Sequence, residues 1–457
     1  MHSTPARLRL ILAMLASLAV AACSGGFGGA SPSAESSTAP IASEGASAAP
    51  SPSEAAEPVS LVYLVDDAEA TILRAEAYIE AYTTLHPNVT IELETRPGGT
   101  EGDNIVKTRL ATGDMADVFY YNSGSLLQAL NPAETLVDLA AEPFVGNFVE
   151  AYLSSVSQGD AVFGVPSETA MGGGILYNKK IYADLGLDVP TTWAEFAANN
   201  EAIKAAGIAP IAATFGDTWT SQLFVLADFY NVQASVPDFA EQYTANEAHY
   251  TDTPAAMAGF SYLQEAFEKD WWQEDFGADK FEDGQELLAT GEVAHYPMLT
   301  FALSSIEANF PDEVQDLGFF AQPGEDAAKN GATIWMPAAT YIPKTSSNID
   351  EAKKFLAFIA SVEGTEAATS GVAPAGPYMI KGASLPEDAL PAVKDIQAYI
   401  DANASGPALE FLSPVKGPSL EQITVAVGSG LYSAEEGARL YDEDVAKQAK
   451  QLGLPGW

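Results

Sequence analysis

The sequence predicts an α/β fold with a parallel, helix-covered sheet and more than one lobe. Three observations carry this. Strand and helix patterns alternate as β-α-β-α-β between Val59 and Tyr121, an order that yields parallel strands with right-handed crossovers. About 400 residues follow a low-complexity start, too many for one small core. A triplet, Gly172-Gly173-Gly174, sits inside an apolar stretch where φ becomes free. That freedom suits a joint between lobes or a close approach of backbone to ligand; a tight loop is the alternative.

The chain begins with an address. Arg7 and Arg9 precede an apolar run from Leu10 to Ala22, too short to span a bilayer comfortably and typical of a secretory signal over 1–22. Val20-Ala21-Ala22-Cys23 followed by Ser24-Gly25-Gly26 resembles the lipobox of bacterial lipoproteins, which implies acylation of Cys23. Cys23 is the sole cysteine, so disulfides, thiol catalysis and cysteine metal sites are excluded. Residues 23–57 are Gly, Ser, Ala and Pro with a few glutamates, a flexible tether with a reach of roughly 30 Å.

The net charge is −41. So acidic a surface disfavours nucleic acid and anionic lipid as partners. No other run approaches a membrane span, so the membrane is met through the lipid alone. In the body, Val59–Val65 is a buried strand, Thr71–His86 a helix, and Val89–Leu93 a second strand. Asn104–Thr112 is helical and Asp117–Tyr121 a third strand. Ligands of such sheets sit at the carboxyl ends of strands, where Asp66, Asp67, Asn122 and Ser123 fall; turn or cap roles fit these short polar side chains equally. Further strands are expected at Ile208–Thr214, Val293–Met298 and Ala332–Pro343, and helices at Leu223–Tyr230, Pro254–Glu268, Phe281–Gly291 and Asp350–Ala360.

Several segments then form an ordered set. ATGDMADVFYYNSGSLLQAL, the stretch Phe163–Trp193 with YNKK and PTTWAE, Phe281–Leu303 and Tyr341–Glu363 resemble, in order, landmarks of the extracellular solute-binding proteins of ABC importers, in the cluster that carries sugars and oligosaccharides. His295–Phe301 departs from the pattern: it lacks the usual glycine, and Phe301 stands where tryptophan is common. The resemblance implies a two-lobed periplasmic-binding-protein fold (type II), with the ligand cleft between lobes joined by hinge crossings. By that analogy 58–167 and 341–385 form lobe I, and 168–340 and 386–457 lobe II. It further implies a monomer that needs no cofactor or metal, captures a sugar or oligosaccharide, and delivers it to the transmembrane permease from a lipid anchor on the extracytoplasmic face of the cell membrane.

A sugar cleft needs aromatic faces for C–H surfaces and carboxylates or amides for hydroxyls. The residues matching those needs are Trp219, Asp217, Glu168, Asn122, Trp335, Asp66 and Phe301, with Gly172, Gly173 and Gly174 as hinge. Core packing is the plain alternative for the aromatics. Trp271-Trp272 reads as packing, and Tyr177 and Asn178 as structural. No two histidines have metal-ligand spacing, and Ser413–Lys416 with Lys344–Ser346 fails the order of a serine hydrolase motif. The remaining alternatives are a glycoside hydrolase, a polyamine carrier and a lipoprotein adhesin.

Overall fold

The computed structural model describes residues 57–457. Cys23, the signal segment and nearly all of the tether therefore lie outside the described residues. A five-stranded and a six-stranded sheet dominate the body. The first runs Val89–Arg96, Val59–Asp66, Val118–Tyr121, Ala339–Tyr341, Gly164–Pro166. Its first three strands are parallel, as the β-α-β-α-β order predicts; Ala339–Tyr341 enters antiparallel. The second runs Ser405–Pro407, Ala332–Trp335, Met171–Asn178, Val293–Leu299, Ala209–Ile211, and Leu317–Ala321 also pairs with Met171–Asn178.

Local chemistry explains why these elements start where they do. The Glu69–Leu85 helix buries Thr71, Ala75, Tyr78 and Tyr82, one helical stripe, against the first sheet. Asn178 ends the central strand of the second sheet and caps the next helix: its Oδ1 accepts the N–H groups of Lys180 and Ile181. Thr192 and Glu195 form a capping box that opens the Trp193–Ala205 helix. The YNKK and PTTWAE motifs are thus helix starts. Trp193 stacks on Tyr262 (centroids 3.9 Å apart, 13° between planes), while Trp271 is fully buried and donates to Glu201. The tryptophan pair is packing, as expected.

Three segments pass between the sheets side by side. Residues 167–170 leave the Gly164–Pro166 strand, 336–338 return from Trp335 to the first sheet, and Ala375–Tyr378 runs alongside. The Ser167 N–H donates to the Ala338 carbonyl and the Ala170 N–H to the Pro377 carbonyl. The Thr340 hydroxyl, which meets both Tyr63 (2.8 Å) and Ser167 (2.5 Å), ties the first crossing to the middle of the first sheet.

Two expectations need correction. Gly172–Gly174 is not a break between strands: the Met171–Asn178 strand runs unbroken through it, with Gly173 paired to Leu299 on one side and Thr333 on the other. The glycines are required by neighbours, not by φ. A Cβ on Gly173 would press into the Trp335 ring (2.8 Å from Cε3), and one on Gly174 into Phe319 (2.9 Å from Cε2). Ala339 and Thr340, which a lobe limit at 340/341 puts in the second lobe, pair with Tyr121 and Tyr120 in the first sheet.

Candidate functional site

A cleft of about 570 Å³ opens between the two sheets, within the range of small-molecule sites. On the first-sheet side it is built from strand ends and the helix that follows the first strand. Asp66 ends Val59–Asp66, and its Oδ1 accepts the Ala68 N–H at 3.2 Å. Asn122 follows Val118–Tyr121 and is exposed, while its carbonyl accepts the buried Tyr341 hydroxyl. Thr71 and Arg74, one turn apart on the Glu69–Leu85 helix, face the same space.

Glu168 lies on the first crossing and holds three elements together. Its Oε2 pairs with the Arg74 guanidinium at 3.1 Å and its Oε1 accepts the Ala338 N–H at 3.1 Å. Both side chains are largely removed from water, at 16% and 14% exposure, so the pair is only weakly screened. The nearby Tyr120 phenol is held far above its ordinary range, first by burial and then by the negative charges of Glu168 and Asp66. It stays a neutral hydroxyl at any physiological pH.

The second-sheet side is mainly aromatic, with Glu410 as its charged residue. Trp219, Phe281 and Phe301 form a triangle with centroids 5.3, 6.0 and 5.4 Å apart, and Trp219 and Phe301 line the cleft. Trp335 ends its strand, lies over Gly173, and packs with Leu226, Ala408, Leu299 and Phe411. Phe411 and the Glu410 carbonyl also reach across to Gly124, the residue at φ +67° that follows the third strand; a Cβ there would stand 2.8 Å from each. The arm that contains them is fixed by parallel pairing of Ser405–Pro407 on Ala332–Trp335.

Six of the seven sequence-selected residues line this cleft: Trp219, Glu168, Asn122, Trp335, Asp66 and Phe301. Asp217 does not. Its Oδ2 accepts the Phe281 N–H at 2.9 Å, satisfying a donor left open at the start of the Phe281–Thr290 helix. The sequence reading missed Arg74, Tyr120, Met336, Glu410 and Phe411. A signal existed for Arg74, a lone cation one turn into the helix that follows the first strand. None existed for Glu410–Phe411.

Two α/β bodies joined by three laced crossings around an aromatic and carboxylate-lined cleft define a two-lobed ligand-binding protein of the hinge-closing kind. The chain belongs to the bacterial extracellular solute-binding protein family, whose model matches residues 70–366. It is 24% identical over 308 residues to the multiple sugar-binding protein of Streptococcus mutans serotype c, covering 64% of this chain and 71% of that protein. Among solved structures, a chitin oligosaccharide binding protein superposes with a TM-score of 0.73 at 24% identity, over 86% of this chain and 99% of that one. A solute-binding protein in complex with raffinose gives 0.72 at 20% identity, over 86% and 100%. At these identities the structural likeness establishes the fold. No helix among the described residues is long and apolar enough to cross a membrane.

Proposed function

We propose that this protein captures a sugar or oligosaccharide in the interlobe cleft and hands it to an ABC importer permease, without catalysing a reaction. One observation carries the ligand class: a single cleft offers two aromatic surfaces, Trp219 with Phe301 and Trp335 with Phe411, opposite the polar groups Asp66, Asn122 and Glu168. Aromatic faces take the apolar C–H side of a pyranose, and carboxylates take its hydroxyls. The protein works as a monomer at the extracytoplasmic face of the cell membrane, held by a lipid on Cys23. Lobe I comprises 58–167 and 341–385, with the Ala339–Tyr341 strand included; lobe II comprises the rest of 168–338 and 386–457. Closure bends the crossings at 167–170 and 336–338, and the glycine triplet moves rigidly with lobe II.

Titration of the intrinsic tryptophan fluorescence with mono- and oligosaccharides tests this, because Trp219 and Trp335 both line the cleft. The expected result is a saturable change with at least one saccharide, and no product on prolonged incubation. A response to spermidine alone, or cleavage of a glycoside, would sink the reading.

A further inference from the structure

Resting on that reading, we infer that the cleft is selective for charge: it takes uncharged saccharides and rejects those that carry a carboxylate. The charged side chains in its wall are Asp66, Glu168, Glu410 and Arg74, three negative against one positive. The single cation is already committed, since Arg74 pairs with Glu168 at 3.1 Å and both are largely buried. Lys416, outside the cleft wall, is likewise committed, pairing with the Glu410 carboxylate at 3.7 Å, so neither nearby cation is free and Asp66 has no countercharge among the described residues. An acidic sugar entering here finds no guanidinium or ammonium to receive its carboxylate, and would have to be desolvated beside like charge. Such juxtaposition of like charge costs affinity, by an amount that added salt reduces. Neutral hydroxyls meet the opposite situation, because Asp66, with one oxygen on the Ala68 N–H and no countercharge, and Glu410, with only the 3.7 Å contact to Lys416, both keep acceptor sites for them. The two carboxylates therefore act both as hydroxyl acceptors and as a filter.

The test compares the neutral di- or trisaccharide that responds best in fluorescence with two derivatives oxidised at C6, the uronate and its uronamide. The uronamide has nearly the shape of the uronate and no charge. The uronate is expected to bind about tenfold more weakly or worse, with the uronamide close to the parent and the penalty shrinking as salt is raised. In the Asp66→Asn, Glu410→Gln double variant the ratio of uronamide to uronate affinity should fall towards one. Uronate binding equal to the parent overturns the inference, as does an equal loss with the uronamide, which would mean steric exclusion. A ratio unchanged in the double variant also overturns it. Silence with every saccharide removes the sugar reading itself, and this inference with it.

Discussion

His295 is fully buried in the Val293–Leu299 strand, between Phe196 and Tyr182. Its Nδ1 lies 2.8 Å from the Pro210 carbonyl, which can only accept, so Nδ1 carries the proton. Nε2 then accepts the Tyr182 hydroxyl at 2.8 Å. Burial, against a smaller opposing effect of the Pro210 bond, pulls the imidazole down to about 3. In the unfolded chain it titrates near 6.5, so below that value the unfolded state binds a proton that the folded state refuses. The stability this neutral histidine contributes is therefore complete above pH 6.5 and is lost as pH falls towards 3. The slope is about 1.4 kcal/mol per pH unit, or about 3 kcal/mol between pH 6.5 and 4.5. Carboxylates titrate in the same window, so the quantity to measure is the difference between wild type and His295→Gln. Urea unfolding followed by tryptophan fluorescence suits it, because Trp193, Trp271 and Trp272 share the core with Phe196 and the strand's Ala294. At pH 7.5 the variant should be less stable by about 1–3 kcal/mol for its lost hydrogen bonding. That gap should close, and can invert, as pH falls to 4.5. A gap that stays constant across the range would show that His295 takes up a proton in the folded state, and the argument from burial would fail.

Other consequences separate the cleft from its supports. Gly173→Val should push Trp335 off its seat at a cost of about 1–3 kcal/mol and weaken ligand binding, visible as a changed near-ultraviolet circular dichroism spectrum and a raised Kd; an unchanged Trp335 signal would contradict the packing account. Arg74→Ala leaves the Glu168 carboxylate with the Ala338 N–H and no countercharge, and should cost about 3 kcal/mol in urea unfolding, whereas removal of both charges in Arg74→Met, Glu168→Gln should cost less. Trp219→Ala should weaken saccharide binding about tenfold, while Asp217→Asn should leave Kd unchanged and cost about 1 kcal/mol of stability; equal affinity losses in the two variants would put Asp217 back in the site.

How much of this was legible in the sequence depends on how far each residue's reason lies from it in the chain. The order of the first three strands follows from neighbouring β-α-β units, and the fold class could be read from them. The caps at Asn178 and at Thr192–Glu195 are equally local, which is why those motifs stood out even where their physical role did not. Gly172–Gly174 misled because its cause is remote: Trp335, Phe319 and Ile396 occupy the space where Cβ atoms would stand. From sequence alone a glycine that makes room and a glycine that bends look the same. Glu410 and Phe411 were invisible for the same reason, since they enter the cleft only when Ser405–Pro407 pairs with Ala332–Trp335. Asp217 and Trp219 show the limit at its sharpest. They are two residues apart, and one lines the cleft while the other closes a helix start, because the Phe281 N–H happens to lie within reach of the carboxylate. Glu168 does both kinds of work. The carboxylate that staples the crossings is also part of the cleft wall, and each of its oxygens keeps an acceptor site beyond its bond to Ala338 or Arg74. One side chain therefore joins the first crossing to both the Glu69–Leu85 helix and the second crossing while facing the cleft, a position that sequence spacing alone does not reveal.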